Sequence, residues 1–336
     1  MRTLSTSLAQ QVNFARYNNQ PQGHYESFFQ RANHPSRPLA FWIRYTIFSP
    51  QNRPQDAVGE LWAVYFNGET NQHVTVKYEV SLQQCTFRSS AFFVQIGEAQ
   101  LQPGLLSGMV SMQENTIAWE LAYHSNEQPL FLLPSHYYQT RLPAAKSLVG
   151  VPLATYTGSL VVNGETVNVE KWTGSQNHNW GSKHTDLYAW GQVAGFDTHP
   201  ESFLEIATAR LKIGPIWTPS LTLLVLRHKG EELALNSLPQ SLRAKGRFGY
   251  FRWDFGSETK DVAVKGSISA PRTAFVGLHY ANPPGGGKSC LNTKLASCEL
   301  RLKQKQKHAE EMLSTQNRAA FEILTDDQRH GVQMQA

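Results

Sequence analysis

Residues 172–195 read WTGSQNHNWGSKHTDLYAWGQVAG. They set His178, Trp180, His184, Tyr188 and Trp190 within little more than a dozen positions, with Gly174, Gly181 and Gly191 between or beside them. That density of imidazole, indole and phenol groups exceeds what a strand needs in order to fold, so the stretch is the candidate functional centre. Just before it, residues 158–162 and 165–169 flank Asn163-Gly164. Two strand-like runs around an Asn-Gly pair predict a hairpin, because both residues tolerate the positive φ of a type I′ turn. Residues 187–194 then read as a strand, and Gly181 allows the backbone to turn ahead of it. Residues 172–195 thus read as the corner and first long strand of a second β unit.

The same β texture extends outward. Residues 40–48, AFWIRYTIF, and 60–67, ELWAVYFN, are rich in aromatic and branched side chains, and 73–80, HVTVKYEV, alternate with period two. Ser49-Pro50, Arg53-Pro54 and Asn67-Gly68 punctuate these runs. Further strands are expected at 91–96, 106–112 and 116–123, then at 202–211, 221–228, 249–255, 262–268, 275–280 and 295–300. Short, regular spacing predicts an all-β antiparallel sandwich or barrel. At 336 residues the chain exceeds the roughly 250–300 at which a single core stops growing. The proline-bearing segment around 130–152 reads as a connection. The expected organisation is a loose lead-in over 1–21, a first β unit over 22–145, a second over 146–300, and a C-terminal helix and tail over 301–336. Leu313 and Phe321 would form that helix's apolar face.

Composition excludes several classes. Net charge is +5 and the basic residues are dispersed apart from 301–307, RLKQKQK, so no nucleic-acid footprint is present. Three cysteines at 85, 290 and 298 fit no zinc pattern and read as reduced thiols of a cytoplasmic protein. The first twenty residues lack the apolar run of a signal peptide, and nothing approaches 18 consecutive apolar residues, so no integral membrane segment is expected. Peripheral membrane contact and oligomeric state stay open.

Each candidate residue carries two readings. His178, between Asn177 and Asn179, is an imidazole able to move a proton near neutrality, or a ring that ties down a corner. Tyr188 and Trp190 are two apart on a strand and share a face, as an aromatic wall around a ligand or as core. Glu205 follows Phe203 on one face of the next strand, and only burial would make it an acid. Phe251, Trp253 and Phe255 share a face that reads as core. Histidines at 24, 34, 136 and 199 are scattered, and His178 and His184 lack the spacing of a metal pair, so no metal site is expected. Residues 284–289, PGGGKS, imitate the end of a phosphate-binding loop. Asn282 stands where its first glycine belongs, so a turn is expected. No Gly-x-Ser-x-Gly elbow is present.

Residues His178-Asn179-Trp180-Gly181, then Tyr188-Ala189-Trp190-Gly191, resemble the corresponding segment of the lipocalin-like proteins grouped with carotenoid 1,2-hydratase (hydroxyneurosporene synthase), AttH, tocopherol cyclase and the fungal decalin-forming Diels–Alderases. Residues 117–121, IAWEL, resemble a strand late in that family's first domain, and Cys290, Asn292, Thr293 and Lys294 a late strand of the second. The resemblance implies two consecutive lipocalin-like antiparallel β-barrels with a mainly apolar cavity in or between them. It also implies a lipophilic ligand, isoprenoid- or polyketide-like, and no organic cofactor. In hydratase and cyclase members an acid protonates an alkene while aromatic rings stabilise the cation. By that analogy His178, through Asn177 or a water, is the acid and Glu205 its reserve. Trp180, Tyr188 and Trp190 stabilise positive charge, and Arg44 or Glu205 orients a polar end. The early Gly-Tyr-Trp-Trp-Tyr-type signature is replaced by Phe41-Trp42-Ile43-Arg44-Tyr45, which points to a separate branch. A non-catalytic lipid or isoprenoid carrier is the alternative, and a scaffold with exposed apolar patches a third. The surroundings of His178 discriminate: an accessible cavity favours chemistry, a closed corner favours binding alone.

Overall fold

The structure is a computed structural model that describes residues 7–306 and 309–336. Strands dominate, and two large antiparallel sheets account for nearly all of them. The first sheet runs Val74–Ser81, Val58–Asn67, Leu39–Ser49, His24–Asn33, Glu165–Gly181, Ala145–Val162, Asn115–His124, Leu105–Met112, Ala99–Gln102, Val94–Ile96, Cys85–Phe87. It curls until Val74–Ser81 lies against Leu105–Met112 and Asn115–His124, a nearly closed barrel. Phe28, Phe41, Tyr45, Trp119, Tyr156 and Trp172 fill its interior.

The second sheet runs Glu231–Leu235, Leu221–His228, Phe203–Arg210, Leu187–Ala194, Ala309–Thr325, Gly287–Gln304, Val262–Ser269, Arg252–Glu258, Lys245–Gly249. Lys245–Gly249 returns to lie beside Leu221–His228. Val193, Leu204, Ile206, Trp253, Phe255 and Phe321 pack inside it, so the expected Trp253 face is core.

Burial patterns show how the two sheets meet. Leu105–Met112 and Asn115–His124 alternate between buried and open positions, as strands with one solvated face must. Every residue of His24–Asn33 is buried, and all but the first two of Leu187–Ala194. One face of each of these strands lines its own barrel, and the other packs against the opposite sheet. Phe29, Trp42, Trp62 and Phe66 from the first sheet meet Trp190, Tyr280, Cys290 and Leu324 from the second along this seam.

The hairpin at Asn163-Gly164 forms as expected, with φ of 51° and 85°. Residues 284–286 form a turn, and Gly287–Gln304 continues as strand without a helix. Four expectations are corrected. Ala145–Val162 and Glu165–Gly181 complete the first sheet, so the chain changes sheet between Gly181 and Leu187, not near 145. The proline-bearing stretch is only a detour within that sheet, where Leu130–Phe131 pairs back onto Ala145–Val162. The C-terminal helix is instead the strand Ala309–Thr325, held between Leu187–Ala194 and Gly287–Gln304. Burial on both faces from Arg318 to Thr325 overrides the helical preference of its Ala, Glu and Leu residues. The lead-in is not loose where it is described: Leu8–Gln11 is a short helix, and Val12, Asn13 and Ala15 are buried. Among the described residues no helix is long and apolar enough to cross a membrane.

Candidate functional site

Alternation along Glu165–Gly181 divides the candidate residues into two groups. His178 and Trp180 face the lead-in at one end of the first barrel. Asn177 faces the seam, so His178 cannot act through it.

At the barrel end, His178 pairs in register with Phe28, and the two rings stack with centroids 4.2 Å apart. Nδ1–H donates to the carbonyl of Val12 at 2.8 Å, and Nε2 lies 2.8 Å from Glu26 Oε1. A proton must occupy that second line, shared by ring and carboxyl. Glu26 also accepts the backbone N–H groups of Arg16 and Tyr17, at 2.9–3.1 Å, and its Oε2 lies 3.0 Å from His24 Nε2. Burial pushes the Glu26 carboxyl up, but hydrogen bonds from His178 and His24, then their charge, hold it at about 2. Burial pulls His178 down against the opposing pull of Glu26. The Arg16 guanidinium covers the Trp180 ring at 4.0 Å. His178 is 0% exposed with both ring nitrogens engaged, so this is a closed corner.

The seam gathers Arg44, Asn177, Tyr188, Trp190 and Glu205. Gln192 is its hub. Its Oε1 accepts from Arg31 Nη1 at 2.9 Å and Ser175 Oγ at 2.6 Å, and its Nε2 donates to Asn177 Oδ1 and Glu205 Oε2, both at 2.8 Å. Trp190 Nε1–H donates to Glu205 Oε1 at 2.7 Å. Burial raises the Glu205 carboxyl to about 7, against the two hydrogen bonds and the charge of Arg31. Lys294 Nζ donates to Glu322 Oε1 at 2.8 Å and lies 5.5 Å from the Trp190 ring and 5.6 Å from that of Trp42. Arg31, Gln192, Lys294 and Glu322 were not singled out as site residues from sequence. For Gln192 and Glu322 the signal was there, a polar side chain inside the apolar runs LYAWGQVA and AAFEIL; Arg31 and Lys294 stand among other polar residues and carried none.

Arg44 closes one end of the seam. It is 4% exposed, its Nε donates to Ser27 Oγ at 2.9 Å, and its guanidinium lies 4.3 Å from the Tyr280 ring. Nη1 has no hydrogen-bond partner, and among the described residues no carboxylate forms an ion pair with Arg44. Tyr25, Thr46, Glu60, His184 and Tyr280 share with it a crevice of about 10 Å³, room for about one water. His184 stacks on Tyr25 at 4.0 Å, and burial followed by the charge of Arg44 holds its pKa at about 3, so the ring is neutral. Among the described residues aromatic side chains pack both barrel interiors, where an apolar cavity was one expectation. A larger hollow of about 480 Å³ lies on the outer face of the first sheet, beside Leu105, Ser107, Glu120 and Gly158, and no candidate residue lines it. The three cysteines are free thiols.

This architecture is shared. The fold is AttH-like: a putative AttH from Nitrosomonas europaea superposes with a TM-score of 0.57 at 11% identity, covering 97% of this chain and 98% of that one. CghA superposes at 0.52, both alone (11% identity, 92% of this chain and 90% of that one) and with Sch210972 (10% identity, 90% and 89%). In sequence, the chain is 27% identical over 208 residues to an uncharacterized protein of Mycobacterium tuberculosis, found in strains H37Rv and CDC 1551. That match covers 62% of this chain and spans 61% of the relative's length. No protein-family model matches the chain.

Proposed function

We propose that the protein binds a lipophilic small molecule with an acidic end group in the seam between its two barrels, with Arg44 as the anchor. The observation that carries this reading is the Arg44 guanidinium: buried, without an ion-pair partner among the described residues, and with Nη1 unpaired. Burial works against the guanidinium charge, Tyr280 and Glu60 help to hold it, and a ligand carboxylate would supply the hydrogen bond that Nη1 lacks. Trp42, Tyr188, Trp190 and Tyr280 supply the apolar, π-rich wall that an isoprenoid or polyketide chain requires. That CghA, of the same fold, has been solved with the small molecule Sch210972 supports it. The crevice at Arg44 is the entry, and a ligand would part the seam there. The exposed hairpin tip carrying Ile213 and Ile216, 69% and 70% exposed, suits transient contact with a membrane from which such a molecule could be drawn.

A second, catalytic reading rests on Glu205. A carboxyl that burial raises to about 7 beside Trp190, in the seam that Tyr188 also lines, is equipped to protonate an alkene and let the rings stabilise the cation, as in a cofactor-independent hydratase, cyclase or isomerase. We assign His178 and Trp180 to holding the corner.

The test uses cis-parinaric acid and its methyl ester as fluorescent probes. The acid should bind at least about tenfold more tightly than the ester, and Arg44→Met should abolish that preference. Equal binding of acid and ester, or an unchanged preference in Arg44→Met, would overturn the assignment. Native mass spectrometry of protein from its own host would identify the bound molecule. Turnover of that molecule, lost in Glu205→Gln and kept in His178→Gln, would establish the catalytic reading.

A further inference from the structure

We propose that His199, His228 and Glu311 form a binding site for one divalent transition-metal ion of the zinc type, at the end of the second barrel away from the seam chemistry. The three residues come from distant parts of the chain. His199 lies in the turn between Leu187–Ala194 and Phe203–Arg210, where its carbonyl accepts N–H from Phe196 and Ser202, each at 3.1 Å. His228 ends the strand Leu221–His228, and Glu311 stands near the start of Ala309–Thr325.

Their donor atoms converge. Nε2 of His228 is 3.2 Å from Glu311 Oε2, Nε2 of His199 is 3.8 Å from the same oxygen, and all three ligating atoms lie within 4.8 Å of one another. Metal–ligand bonds of about 2.0–2.2 Å in a tetrahedron place ligand atoms roughly 3.3–3.6 Å apart, so small side-chain rotations suffice. The outer contacts favour a metal. Nδ1 of His228 lies 2.7 Å from Ser202 Oγ, and Nδ1 of His199 lies 3.0 Å from Thr198 Oγ1. A hydroxyl that accepts the Nδ1 proton leaves each Nε2 lone pair directed at Glu311, the tautomer a metal-bound imidazole needs. The His199 and Glu311 side chains are 23% and 25% exposed, so an ion can enter and retain a water as its fourth ligand. Lys229 is the competitor, with Nζ 2.5 Å from Glu311 Oε2, but its side chain is 59% exposed and free to move into solvent. Two imidazoles with one carboxylate suit zinc, cobalt or nickel and discriminate against magnesium.

The test is a Zn²⁺ titration of the untagged, chelator-treated full chain by competition with a fluorescent chelator. One equivalent should bind tightly and raise Tm, while Mg²⁺ does neither. His199→Ala, His228→Ala and Glu311→Gln should each weaken that equivalent at least about tenfold. Lys229→Met should bind Zn²⁺ as tightly as the parent or more tightly, because it removes the competing cation. Wild-type affinity no greater than that of the His199→Ala/His228→Ala double variant, or weaker Zn²⁺ binding in Lys229→Met, would overturn the proposal. Should the histidine variants fail to fold, the imidazole NMR resonances of His199 and His228 in the wild-type protein decide. They should shift with the first equivalent of Zn²⁺, and their constancy would exclude the site.

Discussion

Glu26 and Glu205 make the sharpest contrast in the molecule. Both are carboxyls at the third position of a strand, exposed 0% and 1%, and both touch a tryptophan-bearing face. The first is held at about 2 and the second raised to about 7. The difference lies in the donors. Glu26 receives two backbone N–H groups and two imidazoles, one of them bearing the proton shared with Nε2 of His178. Glu205 receives one indole N–H and one amide N–H, both neutral, with Arg31 one residue removed behind Gln192. Burial alone therefore does not make a functional acid; burial with an incomplete set of donors does.

The largest test of this contrast is removal of each charge. Glu26→Gln leaves His178, His24 and two backbone N–H groups without their anion, and should cost about 3–5 kcal/mol in urea unfolding at pH 7. Glu205→Gln should instead stabilise the fold, by up to about 3 kcal/mol at pH 7, because it removes the penalty of ionising the buried carboxyl. Equal losses would erase the distinction.

The pH dependence comes next, and the two groups have opposite signs. Glu26 has a folded pKa below its unfolded value of 4.5. Its stabilisation is full above 4.5 and is lost as pH falls toward about 2, a change of about 3 kcal/mol. Glu205 has a folded pKa above 4.5. It costs nothing below 4.5, and a penalty of about 3 kcal/mol grows between 4.5 and about 7 and then levels off. Urea midpoints measured across this range should show both slopes, with Glu205→Gln removing the upper one and leaving the lower intact. A Glu205→Gln protein that retained the upper slope would refute the assignment.

The smallest effect is expected from Trp190→Phe. It deletes the N–H that donates to Glu205 Oε1, so the upper step should move to higher pH by a fraction of a unit, about 1 kcal/mol at most. The lower step should not move.

Much of this could be read from the chain. Alternation and turn pairs located most strands, and the Asn163-Gly164 hairpin formed where its residues require. Resemblance around His178-Asn179-Trp180-Gly181 anticipated the AttH-like fold. The failures have a common origin. Residues 309–325 carry good helix formers, yet two neighbouring strands claim them. Residues 130–152 look like a linker because proline interrupts them, yet strands on either side stay in one sheet. His178 and Asn177 are adjacent in sequence but face different environments, since alternation says that they part and not what each will meet.

The sequence by itself determined the strands, their turns and which side chains share a face, because these follow from local backbone geometry and side-chain sterics. Only the tertiary structure decided which faces were buried twice. That is a property of the partner sheet. It made Glu205 and Arg44 seam residues, enclosed His178 behind the lead-in, and brought His199 and His228 together with Glu311 across gaps in the chain that no local pattern spans.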